Sequence, residues 1–257
     1  MANSPGFLDL PERAVKPRAR GITHVLDKGL TPAATDALLS QVAHLIDIVK
    51  VGWGIGYVDP TLSRRAAACA AAGVSVCLGG TLLEVAARQG RVDELRSWAL
   101  SVGITHLEVS NGLCLLDPDD KLALIKELSG QFTVLAETGA KDGTRPVHAR
   151  QWAEEMARDL DAGARWVVAE GRESGTVGLY RSDQSIREDV VAAVVDRVGP
   201  ENLIFEAPTK AQQTWFVRAL GADVSLGNVE PSAVLPLETL RLGLRADTAA
   251  TTVGAFG

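Results

Sequence analysis

The chain has 257 residues, 46% hydrophobic and 23% charged, which argues against disorder and supplies a core for one large folded domain. Its formal net charge of −6 disfavours a general nucleic-acid or membrane-surface binder, but leaves room for an anionic substrate held by local Arg, Lys or metal. Cys69, Cys77 and Cys114 lack zinc-site spacing and suit reduced thiols in a cytoplasm; no apolar run has the length of a signal peptide or a bilayer span.

Residues 1–20 read as an N-terminal segment, loose as far as Pro11. Ile22 to Leu26 reads as a first strand ending in Asp27-Lys28-Gly29, and Thr31-Pro32 opens a helix as N-cap and first helical residue. Ile46 to Val51 is a second strand, interrupted by Lys50, and Asp59-Pro60 starts the next helix. Val74 to Leu78 is a third strand ending in Gly79-Gly80-Thr81. Helical sequence then runs through Trp98 in two pieces broken near Gly90. Ile104 to Val109 is a fourth strand carrying Glu108 and ending in Ser110-Asn111-Gly112. A helix capped near Asp117-Pro118 follows it to about Leu128.

Phe132 to Ala136 is a fifth strand ending in Glu137-Thr138-Gly139-Ala140-Lys141. A helix over about Val147 to Leu160 stops at Gly163. Ala164 to Val168 is a sixth strand, leading into Glu170, Arg172 and Glu173 between glycines. Ser185 to Val198 is helical. Leu203 to Phe205 is a seventh strand ending in Glu206, and a helix spans about Lys210 to Leu220. Val224 to Leu226 is an eighth strand ending in Gly227-Asn228, before a last helix from Pro231 to Leu244.

Strand and helix thus alternate about eight times, the pattern of a single (β/α)₈ TIM barrel over residues 21–257. A doubly wound open sheet fits less well, because polar residues follow nearly every strand instead of one switch point. In a barrel those strand ends converge on one mouth. The carboxylates there suit a hard divalent cation, and the cationic side chains suit anions or proton donation. Gly79-Gly80-Thr81 reads equally as an oxyanion cradle or a compact turn. No G-x-x-x-x-G-K-[ST] loop occurs, and Gly52, Gly54 and Gly56 lack dinucleotide-binding spacing. His24, His44, His106 and His148 show no paired metal spacing and read as structural. Gly227 and Asn228 are placed to hold a phosphate, with Arg241 or Arg245 as added charge.

Eight blocks carry a resemblance: VLDKGL (25–30), IDIVKVGWG (46–54), GGTLLE (79–84), LEVSNG (107–112), ETGAKD (137–142), EGRESG (170–175), IFEAPTKAQQ (204–213) and LETLRLGLRADT (237–248). In that order they resemble the phosphosulfolactate synthase family over nearly the whole chain. The resemblance implies a cytoplasmic barrel enzyme, a carbon–sulfur lyase, that adds sulfite to C3 of phosphoenolpyruvate with Mg²⁺. Lys141 stands where the family has its catalytic lysine, and Arg172 and Glu137 join it as catalytic candidates. Lys28, Lys50, Gly80, Thr81, Ser110, Gly227 and Asn228 are the candidate substrate contacts. A subset of Asp27, Glu108, Glu170, Glu173 and Glu206 is expected to hold the metal. The chain departs from the family pattern at Ile55, Asn111, Leu113 and Ala140. A barrel with a different nucleophile, or a stress-associated protein without synthase activity, is the alternative. Small anions are the expected partners, and homo-oligomerisation is left open.

Overall fold

The computed structural model describes residues 6–140 and 146–253. Eight parallel strands close into a barrel in sequence order: β1 (Thr23–Asp27), β2 (Ile48–Val51), β3 (Ser75–Leu78), β4 (His106–Val109), β5 (Thr133–Thr138), β6 (Trp166–Ala169), β7 (Leu203–Glu206) and β8 (Leu226–Val229). The connecting helices are α1 (Pro32–Val42), α2 (Ile55–Val58), α3 (Leu62–Ala71), α4 (Gly80–Arg88), α5 (Val92–Ser101), α6 (Pro118–Leu128), α7 (Ala149–Asp161), α8 (Glu188–Val198), α9 (Lys210–Leu220), α10 (Val234–Arg241) and α11 (Ala246–Val253). No helix among the described residues is long and apolar enough to cross a membrane.

Local sequence accounts for several boundaries. Thr31 caps α1 by accepting from the Ala34 amide at 3.2 Å, and Thr209 with Gln212 forms a capping box on α9. The helix expected at Asp59-Pro60 begins instead at Leu62, because the Asp59 carboxylate binds the Thr61 amide and hydroxyl and the Arg65 guanidinium. The single-turn α2 and the terminal α11 are additions to the expected elements. Strand ends also differ: β1, β5, β6, β7 and β8 run one to three residues further than their apolar runs. Hydrophobic pattern stops where polar side chains begin, whereas the ladder continues through them. Asp27, Glu137, Glu206 and Asn228 therefore lie inside strands, held by sheet geometry.

Alternation along each strand sorts side chains into two layers. Val25, Val49, Val51, Leu107, Val109, Val134, Val167, Phe205 and Leu226 pack toward the helices in one large core. Ile22, Ile48, Cys77, Leu135, Trp166, Val168 and Ile204 form a second cluster inside the barrel. Inward-facing positions above that cluster carry Lys50, Glu108, Glu137, Glu170 and Glu206. An apolar plug thus underlies a charged mouth.

The opposite end is closed by cations on main-chain carbonyls. The Arg241 guanidinium donates to Ala222 and Val224, both at 2.6 Å, and to Ile22 at 3.3 Å. Arg241 is thereby removed from the expected phosphate site, and Arg245 lies 3.9 Å from Asp247. The N-terminal segment straps the same floor. Arg13 pairs with Asp223 and Glu238. Lys16 reaches the carbonyls of Ala43 and Gly73 at 3.0 and 2.8 Å, and Arg18 pairs with Asp47 at 3.1 Å.

His24 is fully buried in the barrel interior, and among the described residues neither ring nitrogen has a partner. Burial first, and the nearby Lys50 charge second, depress its pKa to about 3. The unfolded chain takes up this proton near pH 6.5, before the folded protein can, so stability is lost as pH falls from about 6.5 toward 3. From pH 6.5 to 4.5 this site alone should cost about 2–3 kcal/mol. Guanidinium unfolding at pH 7 and 4.5 should show that component in the wild type and not in His24→Leu; equal acid sensitivity in both would assign the loss to other groups.

Candidate active site

Lys50, on β2, is the centre of the mouth. Its ammonium lies 2.9 Å from Glu108 Oε2 on β4, 2.9 Å from Glu206 Oε1 on β7 and 3.9 Å from Glu137 Oε2 on β5. All four side chains are buried. Burial disfavours the ammonium, but the three carboxylates outweigh it and hold its pKa well above the ordinary value. Burial likewise pushes Glu206 up, and Lys50 with the Gly171 amide overrides it and holds the carboxyl below its usual range.

Main chain completes the arrangement. The Gly80 amide, at the start of α4, donates to Glu108 Oε1 at 2.9 Å. The Gly171 and Arg172 amides both donate to Glu206 Oε2 at 2.9 Å, and Arg172 N also reaches Glu170 Oε1 at 2.7 Å. This close approach explains two glycines. A Cβ at Gly80 would sit 2.1 Å from Ser110 Oγ, and one at Gly171 would meet the Tyr180 ring at 2.5 Å and the Glu206 carbonyl at 2.8 Å. Gly79-Gly80-Thr81 is thus a strand-to-helix turn whose amide serves a protein carboxylate.

A cleft of about 230 Å³ opens over this cluster, lined by Lys50, Thr81, Glu108, Glu137, Glu170, Arg172, Glu173, Glu206 and Asn228 together with apolar Leu26, Trp53 and Leu113. Asn228 enters through an irregularity in β8: the β1–β8 register shifts between Thr23–Leu226 and Val25–Val229, and Asn228 takes a positive φ of 52°. Its buried Oδ1 has no partner among the described residues. Gly227 sits against His24 and Glu206 instead, leaving room for both. Glu108, Glu137 and Glu206 each offer a carboxylate oxygen, and these lie within 4.8 Å of one another, the one grouping among the described residues with metal-ligand spacing. Glu137 therefore belongs with the potential ligands as well as with the catalytic candidates.

Other expected residues lie elsewhere. Asp27 shares the outward parity of Val25 and is absent from the cleft. Its Oδ1 accepts from the Gly29 and Leu30 amides at 2.8 and 2.7 Å, and its Oδ2 is bound by buried Arg65. A metal ligand at the mouth would have to face inward, so Asp27 leaves the metal set. Lys28 is half-exposed and paired with Glu230, outside the cleft. Ser110 donates to Glu84 on α4 and supports the turn from behind. Asn111 is occupied with Leu116, its amide donating at 2.7 Å and its oxygen accepting at 2.9 Å. Ala140 and Asn111 border a neighbouring cleft of about 680 Å³ that also touches Glu137. Lys141 lies outside the described residues.

Arg65, Glu84, Tyr180 and Lys121 are the contributors that sequence reading missed. A signal was present: Leu62, Arg65, Ala66 and Cys69 form the buried stripe of α3, and Lys121, Ile125 and Leu128 that of α6, so each cation occupies an apolar-face position. A charge there needs a buried partner.

Arg172 has a left-handed φ of 61°, which turns its amide back toward Glu170 and Glu206. Glycine adopts that conformation without the Cβ penalty that alanine incurs. Arg172→Gly should therefore be more stable than Arg172→Ala by about 1 kcal/mol, or about 2–4 °C in melting temperature for a chain of this size. Both variants lose the same guanidinium, so equal melting temperatures would contradict a conformational requirement at this position.

Comparison with known proteins agrees with this geometry. The (2R)-phospho-3-sulfolactate synthase (ComA) family model matches residues 11–247. The chain is 38% identical over 244 residues to phosphosulfolactate synthase of Methanothermobacter thermautotrophicus, covering 93% of this chain and 95% of that protein. It is 34% identical over 244 residues to phosphosulfolactate synthase of Bacillus subtilis, covering 94% and 97%. Among solved structures it resembles 3-hexulose-6-phosphate synthase with a TM-score of 0.55 at 17% identity, covering 85% of this chain and 98% of that one, a likeness of fold alone. With a family model matched across the described barrel and relatives aligned over nearly their full lengths, the chain belongs to the phosphosulfolactate synthase family of enzymes.

Proposed function

We propose that this protein catalyses Mg²⁺-dependent addition of sulfite to phosphoenolpyruvate, giving phosphosulfolactate. The observation that carries the reading is the buried grouping of Glu108, Glu137 and Glu206 around Lys50 at the mouth of a barrel of this family. Three carboxylates and one ammonium leave two net negative charges, which would repel an anionic substrate. A hard dication fits that donor set by charge and by its preference for oxygen. Glu108, Glu137 and Glu206 would hold it, with Glu170 and Glu173 at the edge of the same cleft. Bound there, Mg²⁺ supplies Lewis-acid stabilisation of charge on the substrate carboxylate.

The sulfite sulfur donates its lone pair to C3, forming the carbon–sulfur bond. The C2–C3 π pair moves to C2 and is delocalised into the substrate carboxylate. A proton is then delivered to C2, and the phosphate ester remains intact. Lys50 contributes a fixed positive charge beneath this site, preorganised by its carboxylates. Asn228 offers a buried polar group, and Thr81 and the half-exposed Arg172 line the rim where anionic groups enter. Lys141 is the proposed donor to C2, since an ammonium both attracts the developing charge and gives up a proton. The cysteines Cys69, Cys77 and Cys114 are free thiols, in keeping with a cytoplasmic setting.

Phosphorus NMR of a mixture containing the protein, phosphoenolpyruvate, sulfite and Mg²⁺ should show conversion to a new phosphate ester that requires all components and stops on chelation. Lys141→Met should lower kcat by about 10²–10⁴-fold, with melting little changed. Lys141→Arg should rescue poorly, because guanidinium holds its proton too tightly. Wild-type activity retained in Lys141→Met would reject the proton-donor role. Absence of conversion by the wild type, together with no phosphoenolpyruvate binding by calorimetry, would overturn the synthase reading.

A further inference from the structure

Strand β8 carries one residue more than its neighbour. Between the pairs Thr23–Leu226 and Val25–Val229 the chain advances two residues on β1 and three on β8, the count of a bulge. Leu226 and Val229, on either side of it, both pack in the outer core. Gly227 faces inward, since a Cβ there would meet His24 Nδ1 at 3.0 Å and Ile204 Cγ2 at 3.1 Å. Simple alternation would then turn Asn228 outward. The extra residue, at a φ of 52°, brings it into the cleft instead, one position beyond the β8 partner of Glu206. Bulges beside active sites re-aim side chains in this way.

The group brought in is an amide whose oxygen has nothing to bind. Asn228 is 4% exposed, and its buried Oδ1 has no hydrogen-bond partner among the described residues. A buried acceptor is costly unless it is paired. Phosphate, sulfite and carboxylate are themselves acceptors, so none of them completes this oxygen; a cation does. The same cleft is lined by Glu108, Glu137 and Glu206, whose carboxylate oxygens lie within 4.8 Å of one another. The two observations are independent, because the carboxylates are set by β4, β5 and β7 and the amide by the bulge in β8. Mg²⁺ takes oxygen ligands in a near-octahedral shell, so three carboxylates leave positions for a further oxygen and for water. A neutral ligand also suits the charge. Lys50 and its three carboxylates sum to two negative charges, which a dication cancels, whereas an aspartate at 228 would restore a negative charge facing an anionic substrate.

We infer that Asn228 is a neutral ligand of the divalent cation through Oδ1, and not a contact for the phosphate of the substrate. This rests on the proposed binding of a cation by Glu108, Glu137 and Glu206, to which it adds a fourth protein ligand.

The test reads metal binding without substrate. Mn²⁺ shares the preference of Mg²⁺ for oxygen ligands, and its free concentration is followed by electron paramagnetic resonance. Wild-type protein should bind Mn²⁺, Mg²⁺ should displace it, and Glu137→Gln should weaken it, which locates the ion at the mouth. Asn228→Gly removes the amide and leaves a residue that adopts the left-handed conformation freely, so the backbone is preserved. It should weaken Mn²⁺ binding by at least about tenfold, with melting little changed. Asn228→Cys replaces the oxygen with sulfur and should raise the ratio of Cd²⁺ to Mn²⁺ affinity at least about tenfold over wild type; this ratio decides alone if the glycine variant does not fold. Mn²⁺ affinity within about twofold of wild type in folded Asn228→Gly overturns the inference, and a rise confined to KM for phosphoenolpyruvate would then return Asn228 to the substrate. An unchanged Cd²⁺ to Mn²⁺ ratio in Asn228→Cys also overturns it. Wild-type protein that binds no Mn²⁺, with or without phosphoenolpyruvate, overturns the cation site and this ligand together. Binding that Glu137→Gln weakens and Asn228→Gly does not leaves the site standing and removes only the ligand. Neither arm requires turnover, so failure of the reaction assignment is read separately.

Discussion

The mouth of this barrel depends on one buried ammonium among carboxylates. Without Lys50, Glu108, Glu137 and Glu206 would be three like charges within a few ångströms in a water-poor interior, and they would protonate or move apart. With Lys50 in place they are gathered inward around one ammonium, which holds the Glu206 carboxyl below its usual range. The rest of the site is arranged to preserve this. The Gly80 amide, the Gly171 and Arg172 amides, and Lys121 behind Glu137 each fix a carboxylate or its backbone from a different side. A preorganised set of charges of this kind does not need to reorganise as a substrate reacts.

The opposite end uses the same chemistry for a different purpose. Arg241, Arg13, Lys16 and Arg18 bind carbonyls and carboxylates around the barrel floor, tying the N-terminal segment to the strand starts. The apolar plug of Ile22, Ile48, Cys77, Leu135, Trp166, Val168 and Ile204 separates the two charged ends. Cations at the floor meet neutral acceptors and acidic residues that fasten the fold. At the mouth the carboxylates outnumber the cation, and the surplus negative charge is what makes that end suitable for a metal. His24 sits between these regions, too far from water to take a proton at neutral pH.

Strand–helix alternation was legible in the sequence because apolar runs of strand length recur between helix-capping and glycine signals, and these are local properties. The clustering of Lys50, Glu108, Glu137 and Glu206 was legible because the ends of barrel strands converge. Parity was harder to read. Asp27 and Glu137 both follow apolar runs, yet Asp27 faces the helices and pairs with Arg65, while Glu137 faces the cleft. The difference is one residue of register, which composition does not record. Asn228 reaches the cleft only because β8 is irregular there. Arg65 and Lys121 went unread for another reason. A charge on the apolar stripe of a helix resembles an ordinary surface residue until its partners, distant in sequence, are known.

The central claim is that Lys50 and its carboxylates are energetically one unit. A double-mutant cycle with Lys50→Met and Glu206→Gln, measured by equilibrium unfolding at pH 7, tests it most directly. Strong coupling is expected, about 2–3 kcal/mol, with the double variant much less destabilised than the two single losses combined. Additive losses within about 0.5 kcal/mol would contradict the account, because they would show that the buried ammonium and the carboxylate 2.9 Å away do not depend on one another.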